Sequence, residues 1–118
     1  MNVREKELPV IKSHYELLKY IIPVLEKFPK TQKYVLADRI EIICLDVLEK
    51  LIAARFAIKD EKYNIIKELN LKIDLIRYLI RLSFENKYLS IGKYEHINKS
   101  LYEIGKQIGG WNKALEKV

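Results

Sequence analysis

The sequence predicts an all-α protein, an antiparallel up-down-up-down four-helix bundle. Apolar residues recur every three or four positions along nearly the whole chain, and no stretch alternates with the period of two that a strand requires. The 118 residues include only four glycines and three prolines, so few loops are expected. Short connections make consecutive helices antiparallel neighbours. We therefore expect one domain over residues 1–118, with helices at about 9–27, 31–58, 60–87 and 90–108.

The first two predicted helices meet at Pro29. Pro9 suits the first helical position, and Thr31 is predicted to cap the second helix. The core-facing stripe of the second helix consists of Leu36, Ile40, Ile43, Val47, Leu51, Ala54 and Ile58. A second stripe consists of Val35, Ile42, Leu45, Leu48, Ile52 and Phe56. A helix this widely apolar is buried on two sides, and in so short a chain the second side suggests a partner subunit.

The last two helices have their own start and stop signals. Asp60 is predicted to cap the third helix and Ser90 the fourth. The pair Gly109 and Gly110 is predicted to end the fourth helix. Their core stripes consist of Ile66, Leu69, Ile73, Ile76 and Ile80 in the third helix, and of Tyr94, Ile97, Leu101, Ile104 and Ile108 in the fourth.

Two residues near the C-terminus need a separate explanation. Gly105 interrupts the fourth helix at a cost of ~1 kcal/mol relative to alanine, which indicates close approach of another helix or backbone. Trp111 follows the predicted glycine stop and is expected to fold back over the end of the bundle. Packing in the core or at an interface is the main expectation for its ring, and base stacking is the alternative.

Few residues are suited to catalysis or metal binding. Neither His14 nor His96 has a glutamate three positions earlier, so the Glu-x-x-His motif of di-metal bundles is absent. His14 falls on an apolar face and is interpreted as a core histidine. Cys44 lies among aliphatic residues, where burial raises the thiol pKa and makes it inert. We expect no metal, no cofactor and no enzymatic activity.

The charge favours an anionic partner. The chain carries 22 lysines and arginines against 16 aspartates and glutamates, a net charge of +6, and the excess is spread along the whole chain. Such a balance favours nucleic acid. The chain has no apolar run of ~20 residues and no signal-peptide core at its start, so a cytoplasmic protein that does not enter membranes is expected.

Arginine is scarce, with five residues against 17 lysines. Arginine is better suited than lysine to bidentate contacts with phosphate or carboxylate. Four of the five lie in the two central helices, namely Arg39, Arg55, Arg77 and Arg81. The alternative for each is a salt bridge within the bundle or between subunits, and Asp38 and Glu41 are possible partners of Arg39.

Four segments together resemble a known family. Their sequences are FPKTQKY at residues 28–34, LADRI at 36–40, IRYLIRL at 76–82 and EIGKQIGGW at 103–111. In this order they resemble the accessory variability determinant (Avd) proteins of bacterial diversity-generating retroelements. Those proteins belong to a wider four-helix superfamily that includes the ribosomal-RNA intervening-sequence proteins. The resemblance covers about residues 8–113.

The resemblance implies a homopentameric barrel of four-helix protomers with a basic surface. Members bind the retroelement's reverse transcriptase and RNA or DNA, and they assist mutagenic copying of a template RNA into cDNA without being enzymes. The nucleic-acid-binding positions implied here are Lys30, Lys33, Arg39, Arg55, Arg77 and Arg81. Phe56, Gly105 and Trp111 are the expected interface or packing residues, and Arg39 and Arg81 could instead hold the protomer or the ring together.

Two alternatives remain open. The chain could be a self-assembling structural or interaction module without nucleic-acid binding, or an intervening-sequence-type protein of unassigned role. Phosphate contacts make affinity fall steeply with salt, whereas an apolar protein interface does not behave in this way.

Overall fold

Four long helices form the structure, a computed structural model that describes residues 8–116, with side chains through residue 114. Helix α1 spans Pro9–Glu26, and α2 is a continuous helical stretch over residues 30–56. Helix α3 spans Lys59–Glu85 and α4 spans Ile91–Glu116. The prediction of an all-α fold with four packed helices is confirmed, and the helix positions agree with it except at several ends.

Helix α2 changes its winding near its start. It begins with an α-helical turn over Lys30–Gln32, continues as a π-helix over Lys33–Ala37, and then runs as an α-helix over Asp38–Phe56. The backbone N–H of Asp38 donates to the carbonyl of Lys33, five residues earlier, as a π-turn requires. The wider turn places Leu36 and Ala37 in the core.

Contacts between side chains show how the helices pair. Lys50 of α2 lies 2.8 Å from the Glu68 carboxylate of α3, and Asp46 of α2 lies 3.7 Å from Lys72. Residue numbers therefore fall along α2 as they rise along α3, so the two helices are antiparallel. Helix α1 also packs against both α2 and α4, which closes the bundle around one core.

The core contains the predicted stripes of α2, α3 and α4, except for Ile58, which is 70% exposed, and Tyr94, which is half-buried. Ile40, Leu51, Ile76 and Leu101 are among its fully buried side chains. The second stripe of α2 does not enter this core. Most of its members are exposed, and they are Val35, Ile42, Leu45, Ile52 and Phe56.

His14 is buried in the core, as expected. Its Nε2 lies 2.7 Å from the carbonyl oxygen of Cys44, and because a carbonyl only accepts, Nε2 carries the hydrogen and donates it. Burial lowers the pKa of His14, and the hydrogen bond to Cys44 opposes part of this effect. Burial, with a smaller contribution from the negative charge of Glu41, raises the pKa of the Cys44 thiol to about 12.

Two of the three predicted caps are wrong. Pro29, with an extended backbone, stands before the first turn of α2, so Thr31 lies inside the helix. Ile58 occupies the cap position of α3, and Asp60 lies in the first turn, where its charge complements the helix dipole. The Ser90 cap is confirmed, since its hydroxyl accepts from the backbone N–H of Lys93 at 3.3 Å.

The predicted end of the fourth helix is also wrong. Helix α4 continues through Gly109 and Gly110 to Glu116, and no glycine within residues 8–116 has the positive φ of a glycine C-cap. Trp111 is therefore part of the helix and packs against the core from it. Two helical glycines cost only ~2 kcal/mol together, and tertiary packing of Ile108 and Trp111 offsets a penalty of that size.

A lysine occupies the left-handed backbone position just after the end of α3. Lys87 has a φ of 66°. Its N–H donates to the carbonyl of Phe84, and the N–H of Tyr88 donates to that of Ser83. This pair of bonds is a Schellman motif, whose left-handed position glycine usually fills.

Candidate nucleic-acid interface

The six basic positions predicted from the sequence do not form one cluster within the protomer. Lys30, Lys33 and Arg39 lie in the first part of α2, whereas Arg55 lies in its last turn. The 16 residues from Arg39 to Arg55 correspond to about 24 Å along the helix. These two arginines therefore cannot contact the same phosphate.

The basic residues at the start of α2 have different surroundings. Lys33 is half-buried and lines a cavity of about 220 Å³ with the carboxylates of Glu26, Asp38 and Glu41. These negative charges disfavour a phosphate beside Lys33. Lys30 and Arg39 are exposed, and within residues 8–116 Arg39 forms no ion pair with Asp38 or Glu41.

Arg55 faces an aromatic ring. Its guanidinium carbon lies 5.4 Å from the ring centroid of Phe56, the exposed end of the second stripe. Such a cation–π contact at an exposed site contributes roughly 0.5–1 kcal/mol. Arg55 thus packs at the end of the apolar stripe of α2 rather than with the other arginines.

Arg77 is held in place at the boundary between α3 and α4. Its Nη2 donates to the backbone carbonyl of Leu101 at 3.2 Å, and its Nη1 lies 3.8 Å from the carboxylate of Asp74. The side chain remains 38% exposed, so part of the guanidinium still faces solvent. A guanidinium has five N–H donors, so those not used by Leu101 and Asp74 remain for an external acceptor.

Gly105 makes room for this arginine. A Cβ at position 105 would lie 3.2 Å from Nη2 of Arg77, closer than nine in ten real Cβ contacts. The close approach predicted at Gly105 therefore comes from a side chain of α3 rather than from a backbone. Because Gly105 has no side chain, the guanidinium can reach the carbonyl of Leu101, one turn earlier in α4.

Arg81 lies one turn beyond Arg77. Its Nε donates to the Glu85 carboxylate at 3.3 Å, and both side chains are more than half exposed. Exposed pairs at this spacing contribute only about 0.3–0.5 kcal/mol. A phosphate can therefore replace Glu85 as the partner of Arg81 at little cost.

Two cavities meet at Arg77 and form what we call the α3/α4 groove. One has a volume of about 370 Å³ and the other about 390 Å³, and both are lined by Asp74 and Arg77. The first is also lined by Asn70, Ile73, Tyr102, Gly105 and Lys106. The second is also lined by Tyr78, Arg81, Tyr94 and Asn98.

Sequence reasoning did not predict that α4 contributes to this groove. Tyr94, Asn98, Tyr102 and Lys106 are each four residues apart, a spacing that places them along one side of a helix. That regular run of polar and aromatic residues is the sequence signal that could have indicated a contribution of α4 to the groove. Tyr94 was instead predicted to lie in the core, and it is only half-buried, stacked on Phe84 at 4.2 Å between ring centroids.

The other predicted interface residues lie elsewhere. Phe56 is 74% exposed at the end of the second stripe. Trp111 is half-buried, and the ammonium of Lys62 lies 6.0 Å from its ring centroid. Helix α3 also carries exposed apolar or aromatic residues, and they are Leu71, Leu75, Tyr78 and Leu82.

The described helices define a class of protein. It is a basic four-helix protein with a polar groove and an uncovered apolar stripe. Among residues 8–116 no three His, Cys, Asp or Glu side chains are placed to hold a metal ion together. In the same part of the chain, no helix combines the length and apolar character needed to cross a membrane.

The family follows from comparison with known proteins. The model of the bAvd-like family, the bacterial accessory variability determinants, matches residues 8–115, so the chain belongs to this family. Membership implies an accessory protein of a diversity-generating retroelement, a class that is generally non-catalytic. A comparison with the curated proteins finds no match to the chain.

Proposed function

We propose that this protein binds nucleic acid and assists a retroelement reverse transcriptase in copying a template RNA into mutagenised cDNA in the cytoplasm. Membership of the bAvd-like family over residues 8–115 is the observation that carries the proposal. The net charge of +6 supports it, since basic surfaces attract phosphate backbones without needing a base-reading element.

Within the protomer, Arg77 and Arg81 are the best-supported phosphate-binding residues. Arg77 is oriented by Leu101 and Gly105, and Arg81 has only an exposed partner. Lys30, Arg39 and Arg55 remain candidate positions for further contacts along a bound strand. Lys33 is the weakest of the six, because carboxylates surround it.

We further propose that the protein acts as a homo-oligomer, a pentamer by analogy with the resemblance noted above. The uncovered stripe that ends at Phe56 supports self-association, because contiguous exposed apolar surface is typical of interfaces. A ring would present each basic position several times, so that modest contacts combine into strong binding.

The first test measures RNA affinity at two salt concentrations. If a single strand contacts five phosphate-binding positions, its dissociation constant should rise roughly 100-fold between 50 and 200 mM salt. The double variant Arg77→Ala/Arg81→Ala should bind at least about tenfold more weakly and show a shallower salt dependence. Lys12→Ala/Lys19→Ala removes the same charge from α1 and should have a smaller effect, because both lysines lie outside the groove.

Absence of RNA binding by the wild type at 50 mM salt would refute the nucleic-acid proposal. The exposed stripe would then favour the second candidate, a self-assembling interaction module. Light scattering tests assembly separately. Phe56→Ser should lower the oligomer mass while leaving the helical circular dichroism unchanged, and Tyr15→Ser, on an exposed tyrosine of α1, should leave the mass unchanged.

A further inference from the structure

The α3/α4 groove carries exposed aromatic rings that the fold does not require. Tyr78 of α3 is 67% exposed and Tyr102 of α4 is 61% exposed. Each lines one of the two cavities that meet at Arg77. Tyr94 differs from both, since its ring lies nearly parallel to that of Phe84 and is committed to packing. Tyr78 and Tyr102 are therefore the rings available to a ligand.

The charged groups of the groove favour an anion. Arg77, Arg81 and Lys106 line it, and two carboxylates lie beside them, Asp74 in the lining and Glu85 as the exposed partner of Arg81. Asp74 lies beside Arg77 and orients its guanidinium. The groove thus combines three cations with two exposed aromatic rings, one from each helix.

We propose that the α3/α4 groove binds a single strand of nucleic acid, with phosphates at Arg77, Arg81 and Lys106 and unpaired bases stacked on Tyr78 and Tyr102. The proposal rests on the nucleic-acid binding proposed above and names the form of nucleic acid bound. Stacking on tyrosine requires unpaired bases, which a duplex keeps inside its own stack. An acidic peptide would use the cations but would not need the exposed rings.

The dimensions of the groove fit a short segment. Tyr94 and Lys106 are 12 residues apart on α4, which corresponds to about 18 Å along the helix. At ~3.4 Å per stacked nucleotide, about five nucleotides follow this length. A 12-nucleotide probe is therefore long enough to fill the groove of one protomer.

The experiment compares two probes by fluorescence anisotropy at fixed salt, an unstructured uridine-rich 12-nucleotide RNA and a 12-base-pair RNA duplex. Tyr102→Ala should weaken binding of the single strand by at least about fivefold, since one lost base stack is sufficient for that change. Its effect on the duplex should be less than twofold. Tyr102→Phe keeps the ring and should keep the affinity.

Tyr15→Ala is the matched control, because Tyr15 is an exposed tyrosine on α1, outside the groove. It should leave both affinities unchanged. Tyr78→Ala is a second groove variant and should reproduce the selective loss seen with Tyr102→Ala. Circular dichroism and light scattering accompany each variant, so that fold and oligomer mass are known.

The outcomes separate this proposal from the one on which it rests. If the wild type binds neither probe, the proposed function fails. If it binds both probes and Tyr102→Ala behaves like Tyr15→Ala, the groove proposal alone is overturned. A changed oligomer mass of Tyr102→Ala would make Tyr102 an interface residue and would also overturn it. The groove proposal would also be overturned if poly-glutamate displaced the single strand and Tyr102→Ala did not change its affinity. That outcome would favour a protein ligand.

Discussion

Replacing Gly105 by alanine tests the arrangement of Arg77 directly. The new methyl group would lie 3.2 Å from Nη2 of Arg77, so the guanidinium must move by a few tenths of an ångström. That atom also donates to the carbonyl of Leu101 at 3.2 Å. A shift away from α4 lengthens this bond beyond a useful distance. The substitution therefore removes the anchor of Arg77 without removing its charge.

The expected stability change is the sum of two opposing terms. Alanine in place of a helical glycine stabilises by ~1 kcal/mol. Loss of the hydrogen bond from Arg77 costs about 1 kcal/mol, below the roughly 1.5–3 kcal/mol of a buried charged donor, because the partly exposed guanidinium regains water. Gly105→Ala should therefore change the free energy of unfolding by less than about 0.5 kcal/mol.

Gly109 provides the matched control, because a Cβ there would meet nothing within 4 Å. Gly109→Ala should stabilise by the full ~1 kcal/mol, or raise Tm by about 4 °C. In an Arg77→Ala background, Gly105→Ala should also gain the full amount, since no guanidinium remains to be displaced. Urea unfolding followed by circular dichroism measures all three differences.

The result that would refute the reasoning is equal stabilisation by Gly105→Ala and Gly109→Ala, with no dependence on Arg77. The geometry at Gly105 would then have no energetic consequence. RNA affinity tests the effect of Gly105→Ala on Arg77 independently of the stability measurement. Gly105→Ala should weaken binding because Arg77 loses its orientation, whereas Gly109→Ala should leave the affinity unchanged.

Two further predictions concern stability. Lys87→Gly should stabilise by about 0.5–1 kcal/mol in urea unfolding, because glycine relieves the left-handed φ of 66° at a smaller entropic cost. The buried His14 should make stability fall on acidification. Its pKa in the folded state lies below the ordinary value of 6.5, so the unfolded chain takes up the proton first as pH falls through 6.5. Unfolding at pH 7.5 and 5.5 should show this loss, with a slope of at most ~1.4 kcal/mol per pH unit.

Each of these two predictions has a control variant that should change stability in the opposite direction or leave the predicted effect in place. Lys99→Gly, at an exposed site inside α4, should destabilise by ~1 kcal/mol, and a loss of stability in Lys87→Gly would contradict the first prediction. His14→Gln should remove the acid-dependent loss, whereas His96→Gln, at an exposed histidine, should keep it. An unchanged slope in His14→Gln would show that other groups cause the pH dependence.

The errors in the sequence-based prediction share a physical cause. Caps and glycine stops are local signals of about 1 kcal/mol each, and the packing of whole helix faces can exceed them. Helix α4 continues past Gly109 because Ile108 and Trp111 lie against the core. The π-turn at Lys33–Ala37 has no simple sequence signal, and it packs against α1.

The candidate site was predictable only in part. The scarcity of arginine indicates a specific role for Arg77 and Arg81, and the cost of a helical glycine indicates close packing at Gly105. That Arg77 rests on Gly105 follows from the packing of α3 against α4, across 28 residues of sequence. The same packing adds Tyr102 and Lys106 to the groove.

The sequence by itself determined the helical class, the core stripes and the second stripe of α2, because these follow from a repeat of three to four residues that every part of the chain carries. Tertiary structure alone decided where the fourth helix ends and which side chains meet. A helix end is a balance of small local terms against packing, and a groove exists only between two helices. The orientation of Arg77 depends on both α3 and α4. Arg77 belongs to α3, whereas its acceptor on Leu101 and the space above Gly105 belong to α4.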